Sequence, residues 1–273
     1  MLSVLADLWV YAAIALYAWV IFLLFRDLDE SNGRVRPLVY ALLLLAAGCH
    51  AFALISTIFG GATIDLDLGN ALSLTAWVVV VLFILALARQ PLATLGLIIV
   101  PFALIDVLIA RFFPGPPMPI TDFDAVAVGH TLISIVAYGL FALSFCQALI
   151  LMLQDWYLQN KRSGSFFHSL PPLETMERIL FQLIAIGFAL LTISLISGSV
   201  FSQELFGSAF KFNHHVVLSM VAWVTFAILI GGRMLWGWRG RVAAVWTIAG
   251  FLILVLAYFG SRFVLEVILH RSR

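Results

Sequence analysis

FGSAFKFNHHVVLSMVAW, residues 206–223, lies between two long apolar runs and brings aromatic, amide and imidazole groups together. Phe206, Phe210 and Phe212 precede Asn213, and two adjacent histidines, His214 and His215, follow it. An Asn directly before a renewed apolar run makes a good N-cap, because its side-chain oxygen accepts a free N–H of the first turn. Asn213 therefore marks the point where a surface loop becomes a membrane helix, with phenylalanines on one side and imidazoles on the other. Aromatic side chains at headgroup level also form a plain interfacial belt with no ligand at all. The histidines make a ligand site the sharper of the two readings.

The flanking runs have the length of membrane spans, and the pattern repeats along the chain. Of 273 residues, 63% are hydrophobic and 11% charged, and the mean hydropathy is +1.11. Apolar runs of about 18 or more residues read as transmembrane helices. We expect an all-α, polytopic membrane helical bundle of about eight helices, built as a single integral domain over residues 1–273. The spans fall at approximately 5–25, 37–59, 70–88, 91–110, 125–153, 175–200, 214–232 and 243–268. The first run lacks a basic n-region and is too long for a signal peptide, so it is expected to stay in the membrane.

Charge sets the expected orientation. Of the 15 Lys and Arg, ten flank one side: Arg26, Arg34, Arg36, Arg89, Lys161, Arg162, Arg178, Arg233, Arg239 and Arg241. The positive-inside rule places that side in the cytoplasm and both termini outside. The outer side is the acidic one, with Asp7, Asp65, Asp67, Asp106, Asp122, Asp124, Glu204 and Glu266. A net charge of +1 gives no reason to expect nucleic acid as a partner; the lipid bilayer is the expected one. Cys49 and Cys146 fall in different apolar runs and read as buried small residues, not as a disulfide.

Within the spans, CHAFAL puts His50 close to mid-membrane, about 13 Å below the surface on a rise of about 1.5 Å per residue. An ionisable group at that depth marks a functional site by default, the alternative being a neutral imidazole hydrogen-bonded to a neighbouring helix. Span 4 is interrupted by Pro101, and the proline-rich loop FPGPPMPITDFD that follows is expected to be irregular and ordered across the outer face. His130, in span 5, lies about 7 Å inside the outer boundary by the same rise. Span 5 reads helical beyond the membrane through QDWYLQNKR. Gly187, Ser194 and Gly198 fall near one face of span 6, which is expected to pack inward. His168 and His270 sit in a polar connection and a polar tail and are read as solvated.

There is no phosphate loop, nucleophile elbow or His-x-x-x-His pair. What remains is an outer set of histidines, His130, His214 and His215, with His50 below them. Neutral imidazoles in an aromatic, water-poor cavity suit axial ligation of haem iron, and Arg111, Lys211 or Arg262 are placed to meet propionates. A zinc or copper site would use the same histidines with carboxylates such as Asp124. Spacing leaves both open.

From Leu173 onward the chain resembles the cytochrome c assembly family of the CcsA type, in its shorter HemX/YpjD-like branch of inner-membrane proteins. LETMERILFQLIAIGFALLTISLISGSVF resembles the helix leading into that family's haem-handling loop. The opening stretch lies without a gap on the family's motif W-G-x-x-W-x-W-D: Phe206, Phe210 and Phe212 fall on the tryptophans, Gly207 on the glycine and Asn213 on the aspartate. Trp223 matches the tryptophan ten residues later. VGHTLISIVAYGLFAL resembles the segment with the outer histidine, which points to His130, and CHAFAL the segment with the membrane histidine, which points to His50. The likeness covers spans 2 and 5 to 8.

The departures are specific. Every indole of the motif is replaced by Phe and the acid by Asn. The membrane histidine expected near the end of span 7 is absent, with Gly231, Gly232 and Arg233 in that region, and the second outer histidine has only His270 nearby, out of register. The resemblance therefore implies a haem-binding or haem-handling protein of the bacterial inner membrane related to cytochrome c biogenesis. His130 and His50 would be iron ligands, and Phe206, Phe210, Phe212, Asn213, His214 and His215 would line the non-covalent haem site. It would work as a carrier or assembly factor beside a membrane partner protein, not as a turnover enzyme. The alternatives are a non-haem accessory or regulatory protein in haem synthesis or metal homeostasis, and a transporter of an ion or small metabolite.

Overall fold

The computed structural model describes residues 2–27, 35–59, 64–65, 67–113, 119–120, 125–160, 170–206 and 214–257. Its helices are α1 (Leu2–Arg26), α2 (Pro37–Ile58), α3 (Leu68–Leu87), α4 (Gly96–Phe112, entered through a 3₁₀ turn at Ala93–Leu95), α5 (Ala125–Gln159), α6 (Leu173–Phe206), α7 (His214–Trp236) and α8 (Arg241–Val255). Each expected span overlaps one of these helices, the last only in part. Seven of these are long and apolar enough to cross a membrane. For the eighth, the expected span to residue 268 continues beyond the described residues. Polar side chains in the apolar runs satisfy themselves locally: Ser144, Thr192 and Thr247 each donate to the carbonyl four residues back. Large apolar side chains such as Phe22, Leu45, Ile186 and Ile196 face outward, as lipid contact requires.

The helices gather into two compact units, the first formed by residues 1–121 and 162–172 and the second by 122–161 and 173–273. In the first, α1 packs on α2 and α4, and α3 packs on α2 and α4. Trp9 stacks on Phe52 at 5.0 Å, and Trp77 of α3 donates its indole N–H to the Ala47 carbonyl of α2 at 2.8 Å. At one end Asp27 bridges Arg26 (2.9 Å) and Arg36 (3.3 Å), and the hydrogen bond from Arg26 holds its carboxyl below the usual carboxylate range. At the other end Arg111 pairs with Asp7 at 3.1 Å.

One expectation changes here. Pro101 does not interrupt span 4: α4 continues through it to Phe112. One missing N–H is tolerated inside a packed apolar helix where neighbouring groups re-satisfy the freed carbonyl. Of the loop after α4, only Phe113 and Pro119–Ile120 are among the described residues. Pro119–Ile120 (β2) pairs antiparallel with Ile64–Asp65 (β1), Ile64 opposite Ile120, and Asp67 then caps α3 by accepting from Asn70 N–H at 2.8 Å. Proline cannot donate to a ladder, and edge strands are where sheets accommodate it.

The second unit is built around two rings. Phe141 of α5 and Phe226 of α7 stack at 4.0 Å, both fully buried. Gly187 of α6 lies flat against Phe141, where a Cβ would come within 3.2 Å of the ring, and Gly250 of α8 lies against Phe226, where it would come within 2.8 Å. Four helices thus meet on one aromatic pair, because two of them carry no side chain at the contact. Trp223 extends the packing: it stacks on Phe188 at 5.3 Å and donates its N–H to Thr192 Oγ1 at 2.9 Å.

Candidate functional site

The face of α6 bearing Gly187, Ser194 and Gly198 packs on α5, and this is what positions His130. Two turns above the aromatic pair, Ser134 Oγ donates to the His130 carbonyl (2.7 Å) and lies 2.6 Å from Ser194 Oγ. A hydroxyl has one proton, so Ser194 is the donor to Ser134. Ser197 Oγ donates to the Ser194 carbonyl (3.0 Å) and lies 3.0 Å from His130 Nδ1. When Ser197 donates to the Ser194 carbonyl, its oxygen accepts from His130 Nδ1–H. In that tautomer the neutral imidazole carries its lone pair on Nε2.

The ring is also fixed sterically. It lies against Gly198, where a Cβ would be 3.0 Å from His130 Cε1, so a larger residue there requires the imidazole to shift by a few tenths of an ångström. His215, in the first turn of α7, is close enough to His130 for the two imidazoles to interact electrostatically. Its Nδ1 lies 3.5 Å from Ser219 Oγ, one turn along. An imidazole nitrogen with a free lone pair, oriented by a hydrogen bond at the other nitrogen, is the state in which histidine ligates metal or accepts a proton.

His50 has the opposite arrangement. It is 1% exposed, Nδ1 lies 3.1 Å from the Tyr17 hydroxyl of α1, and Nε2 lies 2.9 Å from Ser73 Oγ of α3. The Tyr17 ring meets it edge-on at 5.8 Å. Both nitrogens are engaged, so a metal at either one has to displace Tyr17 or Ser73. The imidazole joins three helices of the first unit.

The segment 207–213, with Phe210, Phe212 and Asn213, lies outside the described residues, as do Lys211, Asp124, His168, Arg262 and His270. Phe206 closes α6 and His214 opens α7. Among the described residues, no three His, Cys, Asp or Glu side chains gather as a metal cage. Cys49 and Cys146 are free and buried. Sequence reading did not find Ser134, Ser197, Tyr17 or Ser73. The available signal was their spacing: Ser134 follows His130 by one turn, and Ser194 and Ser197 share the face of Gly198.

Known proteins extend these observations. The chain is 32% identical over 263 residues to inner membrane protein YpjD of Escherichia coli, which covers 95% of this chain and 99% of that protein. It is 23% identical over 260 residues to protein HemX of Brevibacillus brevis, covering 92% and 94%. A shorter match, 33% over 87 residues, joins it to cytochrome c biogenesis protein CcsA of Trichormus variabilis, covering 32% of this chain and 25% of that protein. No solved structure matches. The model of the cytochrome c assembly protein family matches residues 35–269, and the chain belongs to that family.

Proposed function

We propose that this chain is a haem-handling protein of the bacterial inner membrane, acting as a carrier or assembly factor and not as a turnover enzyme. The observation that carries the reading is the 3.0 Å contact of His130 Nδ1 with Ser197 Oγ: with Ser197 accepting from Nδ1–H, Nε2 keeps its lone pair for a ligand. That is the donor a haem iron takes from a protein. His215, on the neighbouring helix, would be a second imidazole beside it, and Phe206, Phe210, Phe212 and Asn213 would supply the aromatic cover that the sequence suggests. Bound there, haem would supply a redox-active iron held without covalent attachment. The chain's own contribution is to orient the imidazole and hold its tautomer. His50 serves as the hydrogen-bonded tie of the first unit.

The test is titration of the purified protein with haemin, followed by absorption. A saturable Soret band at one equivalent is expected. A titration indistinguishable from haemin in empty detergent micelles would sink the reading and promote a non-haem accessory role. Transport is less favoured, because α4 runs unbroken through Pro101 and gives no discontinuous helix at a midplane site.

The reading also needs the His130 end of the second unit outside the cytoplasm. Following the distribution of Lys and Arg, we propose residues 154–174 inside and residues 201–213 and both termini outside. Reporter fusions after Asn160 and after Gln203 are expected to give opposite compartments, and matching signals would overturn the eight-span arrangement.

A further inference from the structure

At the opposite end of α6 and α7 lies a recess of about 580 Å³ with a mixed-charge lining, Glu174, Glu177 and Arg178 from α6 and Arg233 from α7. Its wall is built. Gly237 (φ 67°) and Gly240 (φ 58°) turn the chain after α7, and the Gly240 N–H donates to Glu177 Oε1 at 2.6 Å. Arg233 donates from Nη1 to the Trp238 carbonyl at 3.1 Å, with its guanidinium 4.8 Å above the Phe181 ring. These contacts use one oxygen of Glu177 and one N–H of Arg233. Arg178 and Glu174 have neither a hydrogen bond nor an ion pair among the described residues.

We propose that this recess binds the headgroup of a zwitterionic membrane phospholipid of the phosphatidylethanolamine class, with the phosphate on Arg233 and Arg178 and the ammonium on Glu174. Two cations and two carboxylates line the recess, so a lone anion meets Glu174 and a lone cation meets both arginines. A ligand carrying both charges a few ångströms apart satisfies both sets, and a primary ammonium donates hydrogen bonds to a carboxylate that a quaternary one cannot. A soluble phosphoethanolamine has the same chemistry. Location favours the lipid. The recess opens at the ends of two membrane-spanning helices, and the three residues after Arg233 are Met234, Leu235 and Trp236, exposed by 79%, 74% and 70%. Such a run at a span end is where acyl chains and glycerol lie.

The test is native mass spectrometry of the full chain released from mixed nanodiscs of phosphatidylethanolamine, phosphatidylcholine and phosphatidylglycerol in equal parts. The wild type is expected to retain phosphatidylethanolamine at least about fivefold over the other two. Glu174→Gln should remove the preference over phosphatidylcholine while lipid retention persists. Arg233→Gln should lose retention, and Arg178→Gln, at an exposed position, should weaken it if the Arg233 variant fails to fold. Equal retention of the three lipids, or a preference untouched by Glu174→Gln and Arg178→Gln, overturns the proposal. Soluble O-phosphoethanolamine competing as well as the lipid overturns the lipid assignment.

Discussion

Replacing His130 by Ala is expected to lower haem retention by at least about tenfold, read as Soret absorbance per protein after purification from haem-supplied cells. The expectation follows from the proton count along α5 and α6. Ser134 donates to the His130 carbonyl, Ser197 donates to the Ser194 carbonyl, and the ring then donates to Ser197 from Nδ1. In the proposed site the lone pair on Nε2 is the iron ligand. Ser197→Ala supplies the graded control. It keeps the ligand but removes the group that fixes the tautomer, and loss of such an orienting partner costs about 10- to 100-fold in metal affinity. An unchanged spectrum in the His130 variant would show that the iron is held elsewhere.

Replacing His50 by Leu is expected to do the reverse, destabilising the protein by roughly 2–4 kcal/mol while leaving the Soret band in place. The substitution strands two buried groups, the Tyr17 hydroxyl and Ser73 Oγ, each of which loses its contact to the ring. A buried polar group left without a partner costs about 1–3 kcal/mol. Tyr17→Phe, which removes one contact and no possible ligand, should give part of the same loss. The measurement is thermal unfolding in detergent alongside the absorption spectrum. Loss of the Soret band without a change in melting would make His50 an iron ligand and not a tie.

The helices were legible because membrane spans write themselves as long apolar runs, and because Pro171-Pro172 and the Gly237–Gly240 turn punctuate them. The packing face of α6 was legible for a related reason. Gly187, Ser194 and Gly198 are small at helical spacing, and each meets α5, at Phe141, Ser134 and His130 respectively. The polar networks were not legible. Tyr17 and His50 lie 33 residues apart, and His130 and Ser197 lie 67 apart, so no local pattern joins them. His130 and His50 read alike as lone imidazoles in apolar helices, yet hydroxyl groups contact one ring at Nδ1 and the other at both nitrogens. That difference is set by hydroxyl groups on neighbouring helices, which a single apolar run does not disclose. Pro101 misled for the opposite reason: its local signal is strong, and the packed helix overrides it.

The claim that Nε2 of His130 is the haem ligand is tested most directly by chemical rescue. The His130→Gly variant leaves a gap where the ring lay against Gly198 and Ser197. The account predicts that this variant binds haemin weakly and that millimolar imidazole, entering the gap, restores a Soret band at the wild-type position. A variant that binds haemin as the wild type does, with or without imidazole, would contradict it.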